Sequence, residues 1–352
     1  MKNWKNESRN IPAPDPLWAQ RARQRLNEQT RPQGSLGALE GFLERLSSIQ
    51  KKERLDIGKK RILIFAADHG VTEENVSLYP REVTRAMALN FLSGGATINA
   101  LARQISAEVR VIDMGIDAEF EKAAGLIDRK ISRGTRNMAK EPAMTSQELD
   151  RAVAAGWEMA EEACRDGIQM LALGEMGIGN TTAASAVIAA LTGLSAVTVT
   201  GRGTGLDESM RLHKAGVIAG ALKLHGPMAG DPLKALQCVG GYEIAALTGA
   251  ILGAAYYEIP VVVDGWIVSA AALAAIVWNP RALDYLFFAH ESAEQGHRIL
   301  LERFDVRPLL DLSMRLGEAS GAALAMTLLD AAVHIYNEVA TFAEAGVSKR
   351  VR

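Results

Sequence analysis

Three segments of this chain carry residues of the type and spacing that do chemistry on a small anionic molecule. Gly174–Thr182 reads GEMGIGNTT and runs into AASAVIAALTG. Glycines ahead of a helix start open main-chain N–H groups to an anion, and the helix dipole favours negative charge there. The spacing from Gly174 to Gly179 matches the opening of a P-loop, but Asn180 replaces the Lys that a triphosphate needs, with Thr181 next. The pattern suits a monophosphate. It also describes a plain glycine-rich connection with Asn180 or Thr181 as helix cap. Gly201–Lys214, GRGTGLDESMRLHK, supplies flexible backbone and then a Lys on a helix. Leu206 fills the last glycine position of a dinucleotide fingerprint, which speaks against a dinucleotide fold. Lys214 is read either as a phosphate counter-charge or as a solvated surface lysine. In Met314–Gly321, MRLGEASG, Glu318 is flanked by small residues ahead of the apolar run GAALAMTLLDAAVHIY. A carboxylate in such surroundings has a raised pKa and can act as general base. A Glu near a helix start also serves the dipole or the cap.

A fourth candidate, Asp68-His69-Gly70 with the loop to Tyr79-Pro80-Arg81-Glu82, places a His after an apolar run. Neither HExxH nor His/Cys ligand spacing is present, so no metal site is expected. The absence of a Gly-x-Ser-x-Gly elbow speaks against an α/β-hydrolase.

These segments need a frame that brings them to one edge. Arg61–Ala67, Val109–Asp113, Ile168–Leu173, Ile259–Asp264 and Ala196–Thr200 read as five short buried strands. Alanine-rich, helix-compatible stretches such as Thr145–Arg165, Thr181–Leu191 and Tyr242–Tyr257 lie between them. Strand alternating with helix predicts an α/β fold with a parallel, doubly wound sheet. Each run exits into glycine and polar residues: Asp68-His69-Gly70, Met114-Gly115, Gly174–Gly177, Gly201–Gly205 and Asp264-Gly265. Open α/β sheets bind ligands at that carboxyl edge. Residues 1–55 hold helix-like stretches at Trp18–Glu28 and Leu36–Lys52, and residues 290–342 are helix-like through Ser320–Val339. The expected organisation is a large α/β domain over 56–290 and a small helical domain formed by 1–55 with 291–352.

Composition narrows the partners. The 352 residues are 48% hydrophobic, enough for a large core, and a net charge of −2 provides no basic field for nucleic acid or an anionic membrane. Aromatics at 5% weaken any base-stacking platform, so no nucleic-acid partner is expected. Cys164 and Cys238 show neither metal nor disulfide-framework spacing and read as reduced thiols of a cytoplasmic protein. The first residues lack an apolar signal region, and the apolar tract at Ala245–Ala255 is broken by Glu258 and Pro260 before it reaches membrane-spanning length.

The ordered blocks resemble one family over nearly the whole chain. They are Ile11–Asp15, Pro32–Leu39, Ala67–Val71, Gly94-Gly95, Asp113–Asp117, Gly174–Thr182, Gly240-Gly241, Asp264-Gly265 and Met314–Met326. The family is that of the nicotinate-nucleotide:dimethylbenzimidazole phosphoribosyltransferases, which activate the lower ligand of cobamides. The resemblance implies a Rossmann-like sheet, a small helical domain, a dimer, and a site at the sheet's carboxyl edge completed by the neighbouring subunit. It implies nicotinate mononucleotide as a substrate and no separate cofactor. By the same resemblance the catalytic glutamate falls on Glu318, and the second acidic residue, near the ribose, on Glu175. The phosphate-binding elements fall on Gly177, Gly179, Asn180, Thr181, Gly203 and Lys214. The acceptor pocket falls on Tyr79, Ala86, Met87 and Met176.

One departure bears on the acceptor. The family commonly has a Gln in the stretch REVTRAMALNFLSGGA, where Ala86 and Met87 stand here. A polar amide that would bond an azole is replaced by a soft, adaptable side chain. Some similar proteins act on phenolic acceptors as pairs of unlike subunits, or include a non-catalytic partner. The sequence therefore leaves azole and phenol, homodimer and heterodimer, as alternatives.

Overall fold

The sheet forms because its strands can be buried on both faces. In the computed structural model, which describes residues 4–120, 124–203 and 205–348, β1 (Lys60–Ala67) is buried at every position. β2 (Glu108–Gly115), β3 (Leu126–Asp128), β4 (Met170–Met176), β5 (Val261–Val263) and β6 (Leu286–Phe288) complete a six-stranded sheet in the order β3-β2-β1-β4-β5-β6. Every pairing is parallel. The strand order reverses between β1 and β4, whose register pairs Phe65 with Glu175 and Ala66 with Met176. At such a switch point the connections leave in opposite directions and open a crevice beyond the carboxyl ends.

Four of the five expected strands form, with bounds shifted by a few residues; Ala196–Thr200 does not. Ala196–Val199 is a short helix capped by Ser195, whose Oγ takes the Thr198 N–H at 3.1 Å. Ala196 and Val199 are buried while Val197 is 49% exposed, a three-residue spacing that fits a helix face and not a strand. The cap outweighs the β-branched composition. Conversely, β3 and β6 were not expected. Each is three residues long and sits at a sheet edge, where pairing with a neighbour defines it and no local pattern does.

Helices cover both faces. Tyr242–Tyr256 is apolar all round and buried from Tyr242 to Ala255, as a helix inside a core must be. It lies against Ser146–Arg165, which starts in a capping box between Thr145 and Glu148. The two backbones approach so closely that a Cβ on Gly156 would stand 1.7 Å from the Ala246 carbonyl oxygen, and one on Gly249 would stand 2.0 Å from that of Val153. Gly156→Ala is therefore expected to destabilise the fold by about 1–3 kcal/mol, the usual cost of overpacking. Chemical denaturation checks it; an unchanged midpoint would show the helix pair free to separate.

The chain ends meet. Pro16–Glu28, capped by Asp15, packs on Ala38–Gln50, and Ser320–Glu338 packs on the latter. Thr30 N–H donates to the Ala340 carbonyl at 3.0 Å, and Phe342 N–H to that of Glu28 at 2.8 Å. Ser320–Glu338 also touches β4 and β5, and one continuous apolar core joins the terminal helices to the sheet. Among the described residues, no helix is long and apolar enough to cross a membrane.

Candidate active site

The cleft opens where the topology predicts, at the carboxyl ends of β4 and β5. Glu175, Met176, Gly177, Ile178, Asn180 and Thr181 form one wall. Asp264–Val268 form the floor, and Arg315–Glu318, with His290, Ser292, Glu294 and Gly203, close the other side.

The glycine wall is shaped by its neighbours. Gly179 precedes the helix Asn180–Thr192 at φ 97°, a left-handed conformation natural to glycine. A Cβ on Gly177 would stand 2.2 Å from the Ala67 carbonyl oxygen, so the loop is pressed onto the end of β1. Ile178 N–H donates to Thr84 Oγ1 at 3.1 Å. Beneath the loop, His69 Nε2 lies 2.7 Å from Glu243 Oε1, both residues buried. The loop therefore rests on a fixed base, with the start of Asn180–Thr192 directed at the cleft, where an anion is stabilised.

Lys214 is not a surface lysine. It is 1% exposed, and its ammonium donates to Thr181 Oγ1 at 2.7 Å beside Gly203. Burial pushes its pKa down to about 8, with nearby Glu294 opposing. Thr204, in the same glycine-rich segment, lies outside the described residues.

The acids converge from separate elements. Glu175 leaves the end of β4 and accepts a hydrogen bond from Asn180 Nδ2. Burial, then Asp264 and Glu243, push its pKa up to about 8. Glu318 is 6% exposed, and its Oε2 is buried without a hydrogen-bond partner among the described residues. Burial raises its pKa, opposed by the backbone N–H of Ile98. Glu318 sits over the glycine segment: a Cβ on Gly174 would meet the Glu318 carbonyl carbon at 2.7 Å, and one on Gly317 would meet Glu175 Oε1 at 2.5 Å. Glu175 and the loop residues Gly177, Ile178, Asn180 and Thr181 thus share one wall and Glu318 faces them, while Lys214, bonded to Thr181, is not among the residues that line the cleft.

The expected acceptor residues are more scattered. Met176 lines the cleft. Ala86 and Met87 ride on the helix Glu82–Ser93, exposed and half-buried, and Tyr79 is 49% exposed on the preceding loop. None of these three lines the cleft within one chain. Among the described residues, no group of three or more His, Cys, Asp or Glu is arranged to hold a metal ion.

A family model described as phosphoribosyltransferase matches residues 11–347. The chain is 53% identical over 328 residues to the nicotinate-nucleotide–dimethylbenzimidazole phosphoribosyltransferase of Geobacter metallireducens, covering 93% of each chain. It is 51% identical over 337 residues to the protein of that name from Geobacter sp. strain M21, covering 96% of each. The chain belongs to this family. A crystal structure of CobT from Thermus thermophilus superposes with a TM-score of 0.91 at 46% identity, covering 95% of this chain and all of that one.

The family membership expected from the sequence blocks is thus shown, and the α/β parallel architecture with it. The cleft also contains members that motif reading gave no role. Asp264 was visible only as a polar exit from an apolar run. His290 follows β6, and with that strand unread its place at the same edge was hidden. Glu294 and Arg315 arrive from loops whose course depends on tertiary packing.

Proposed function

We propose that this phosphoribosyltransferase moves the phosphoribosyl group of nicotinate mononucleotide onto a small aromatic base, 5,6-dimethylbenzimidazole or a related azole, giving an α-ribotide and nicotinate. The observation that carries this reading is that Glu318, with a buried oxygen that has no hydrogen-bond partner among the described residues, lines the same cleft as Gly177, Ile178, Asn180 and Thr181. The names borne by the relatives support the choice of substrates.

In this reading the 5′-phosphate is held by the loop at Gly177, Gly179, Asn180 and Thr181, by Gly203 and by Lys214. Binding energy at that remote end fixes the ribose against the acceptor. The acceptor nitrogen attacks C1 of the ribose, the bond from C1 to the pyridinium nitrogen breaks, and its electron pair neutralises the departing ring. Glu318 takes the acceptor's N–H proton. Glu175 faces the positive charge that develops on the sugar. Tyr79, Ala86 and Met87 reach the acceptor with Met176 once a second subunit, identical or homologous, completes the pocket. The enzyme works in the cytoplasm, without a bound cofactor.

The test is a product assay on the purified chain alone, with nicotinate mononucleotide and a panel of azoles, purines and phenols. An azole ribotide is expected. Product from phenols only would overturn the acceptor assignment, and no product from any member would overturn the transfer itself.

A proton should leave when the nucleotide binds. With a pKa of about 8, Glu175 is mostly protonated at pH 7 in the free chain. A pyridinium cation beside it favours the carboxylate and lowers that pKa, so the proton is released. Lys214, with a pKa of about 8, already carries its proton at pH 7 and takes up little more. Calorimetry at pH 7 in buffers of different ionisation enthalpy should report net release, absent in Glu175→Gln. Equal heats in all buffers would contradict the placement of the cation beside Glu175.

A further inference from the structure

Glu318 stands on backbone that it would not hold by itself. Gly317, Glu318 and Ala319 are successive left-handed residues at φ 82°, 63° and 65°, and the last two bear a Cβ that disfavours this region. The turn leads straight into the helix Ser320–Glu338, whose N-cap position is Ala319, a residue with no side chain to cap with. The orphan amides are taken instead by Asp264, at the end of β5 and far away in sequence. Asp264 Oδ1 accepts the Ala322 N–H at 2.9 Å, and its carboxylate also takes the N–H groups of Gly321 and Ala319. Asp264 is 1% exposed, so solvent does not compete for these bonds. From the other side, β4 presses on the turn at Gly174, where a Cβ would come within 2.5 Å of the Ala319 nitrogen.

We infer that Asp264 is a positioning residue for the transfer reaction: its carboxylate clamps the 317–319 turn in its left-handed form and thereby aims the Glu318 carboxyl into the cleft. This inference rests on Glu318 being the base. The role differs from ordinary helix capping in what is fixed. A cap within the helix would stabilise Ser320–Glu338 wherever it lay, whereas a cap borrowed from the sheet edge ties the turn to the strands that carry the glycine loop. Register between base and nucleotide then follows from the sheet.

A local loosening confined to the turn, with the nucleotide loop intact, separates this role from simple support. The groups that share the cleft with Glu318 are Glu175 at the end of β4, Asp264 after β5, His290 after β6, Glu294 and, on its own loop, Arg315, and the Ile98 N–H donates to it from the helix Thr97–Gln104. Burial, with Glu318 as a like charge beside it, pushes the pKa of Asp264 up to about 7, against the pull of the backbone N–H groups it accepts. Replacing Asp264 by its neutral isostere should loosen the turn, because an amide oxygen accepts from N–H groups less strongly than a carboxylate.

The experiment compares the full-length wild-type chain, Asp264→Asn and Glu318→Gln by steady-state kinetics across pH, with nicotinate mononucleotide and 5,6-dimethylbenzimidazole. Asp264→Asn is expected to lower kcat by about 10- to 100-fold, the cost of a small misplacement of a reacting group. The nucleotide KM should stay near the wild-type value, because the glycine loop is untouched. Amide hydrogen exchange should quicken at 319–322 and not in β1 or β4. A loss of kcat with a proportionate rise in KM, or faster exchange throughout the sheet, would mean general structural support and overturn the inference, as would wild-type kcat. Should Asp264→Asn not fold, Asp264→Ser retains one small acceptor and is held to the same criteria. If Glu318→Gln keeps full activity, it is the assignment of the base that fails. If Glu318→Gln is inactive and Asp264→Asn is normal, only the positioning role fails.

Discussion

Glu318→Gln is expected to lower kcat for ribotide formation by about 10²–10⁴-fold, the range typical of general-base catalysis. The KM for nicotinate mononucleotide should change little, because the proposed binding mode puts the nucleotide's phosphate end on the opposite wall. Gln preserves the size and one acceptor oxygen of the side chain, so the left-handed turn and its packing against Gly174 are retained. What it lacks is a group able to accept a proton. The wild-type pH profile carries the same signature. Glu318 has its pKa raised by burial, and a base works only when ionised. The kcat of the wild type should therefore fall with acidification through a limb above the ordinary carboxylate range, and that limb should vanish in the variant. Retention of wild-type kcat by Glu318→Gln would leave the acceptor's proton to another group and remove Glu318 from the mechanism.

How far the site was legible in the sequence depends on whether a residue's surroundings are local. Glu175, Gly177, Gly179, Asn180 and Thr181 follow a recognisable apolar strand within one short segment, and the fold places all of them but Gly179 on one wall of the cleft. Asp264 follows VVV in the same way, yet its partners are amides at 319–322, which no local pattern connects to it. Lys214 could be read from sequence as exposed or buried, since a Lys on a polar helix is usually solvated; the approach of Thr181 and the loop at Gly203 settles its burial. For the fold, β1, β2, β4 and β5 announced themselves as aliphatic runs. LID at β3 and LFF at β6 exist only because a neighbouring strand offers hydrogen bonds, and AVTV became helical because Ser195 caps it. Tyr79, Ala86 and Met87 show the converse case. The family resemblance groups them at the acceptor, but one chain leaves Tyr79 and Ala86 exposed and none of the three in the cleft.

Lys214→Ala is expected to raise the nucleotide KM by about 10- to 150-fold, equivalent to the ~1.5–3 kcal/mol that a hydrogen bond to a charged group contributes. Two effects act in the same direction. The phosphate loses its cationic partner, and Glu294, which the ammonium balances electrostatically, is left as a buried negative charge beside the same loop. Because Lys214 is enclosed, Lys214→Arg should not restore affinity: the broader guanidinium does not fit a site shaped around one ammonium at Thr181. The pH dependence follows from the same burial. In the free chain Lys214 loses its proton at about pH 8, so nucleotide affinity should weaken as pH rises through that value, while kcat at saturation is less affected. Bound phosphate favours the ammonium and carries its titration upward, which is why the effect belongs to KM and not to kcat. Kinetics between pH 6 and pH 9.5 would check it, roughly spanning the interval in which a lysine shifted by burial changes charge. An unchanged KM in Lys214→Ala would place the phosphate elsewhere, and with it the direction from which the ribose presents C1 to the base.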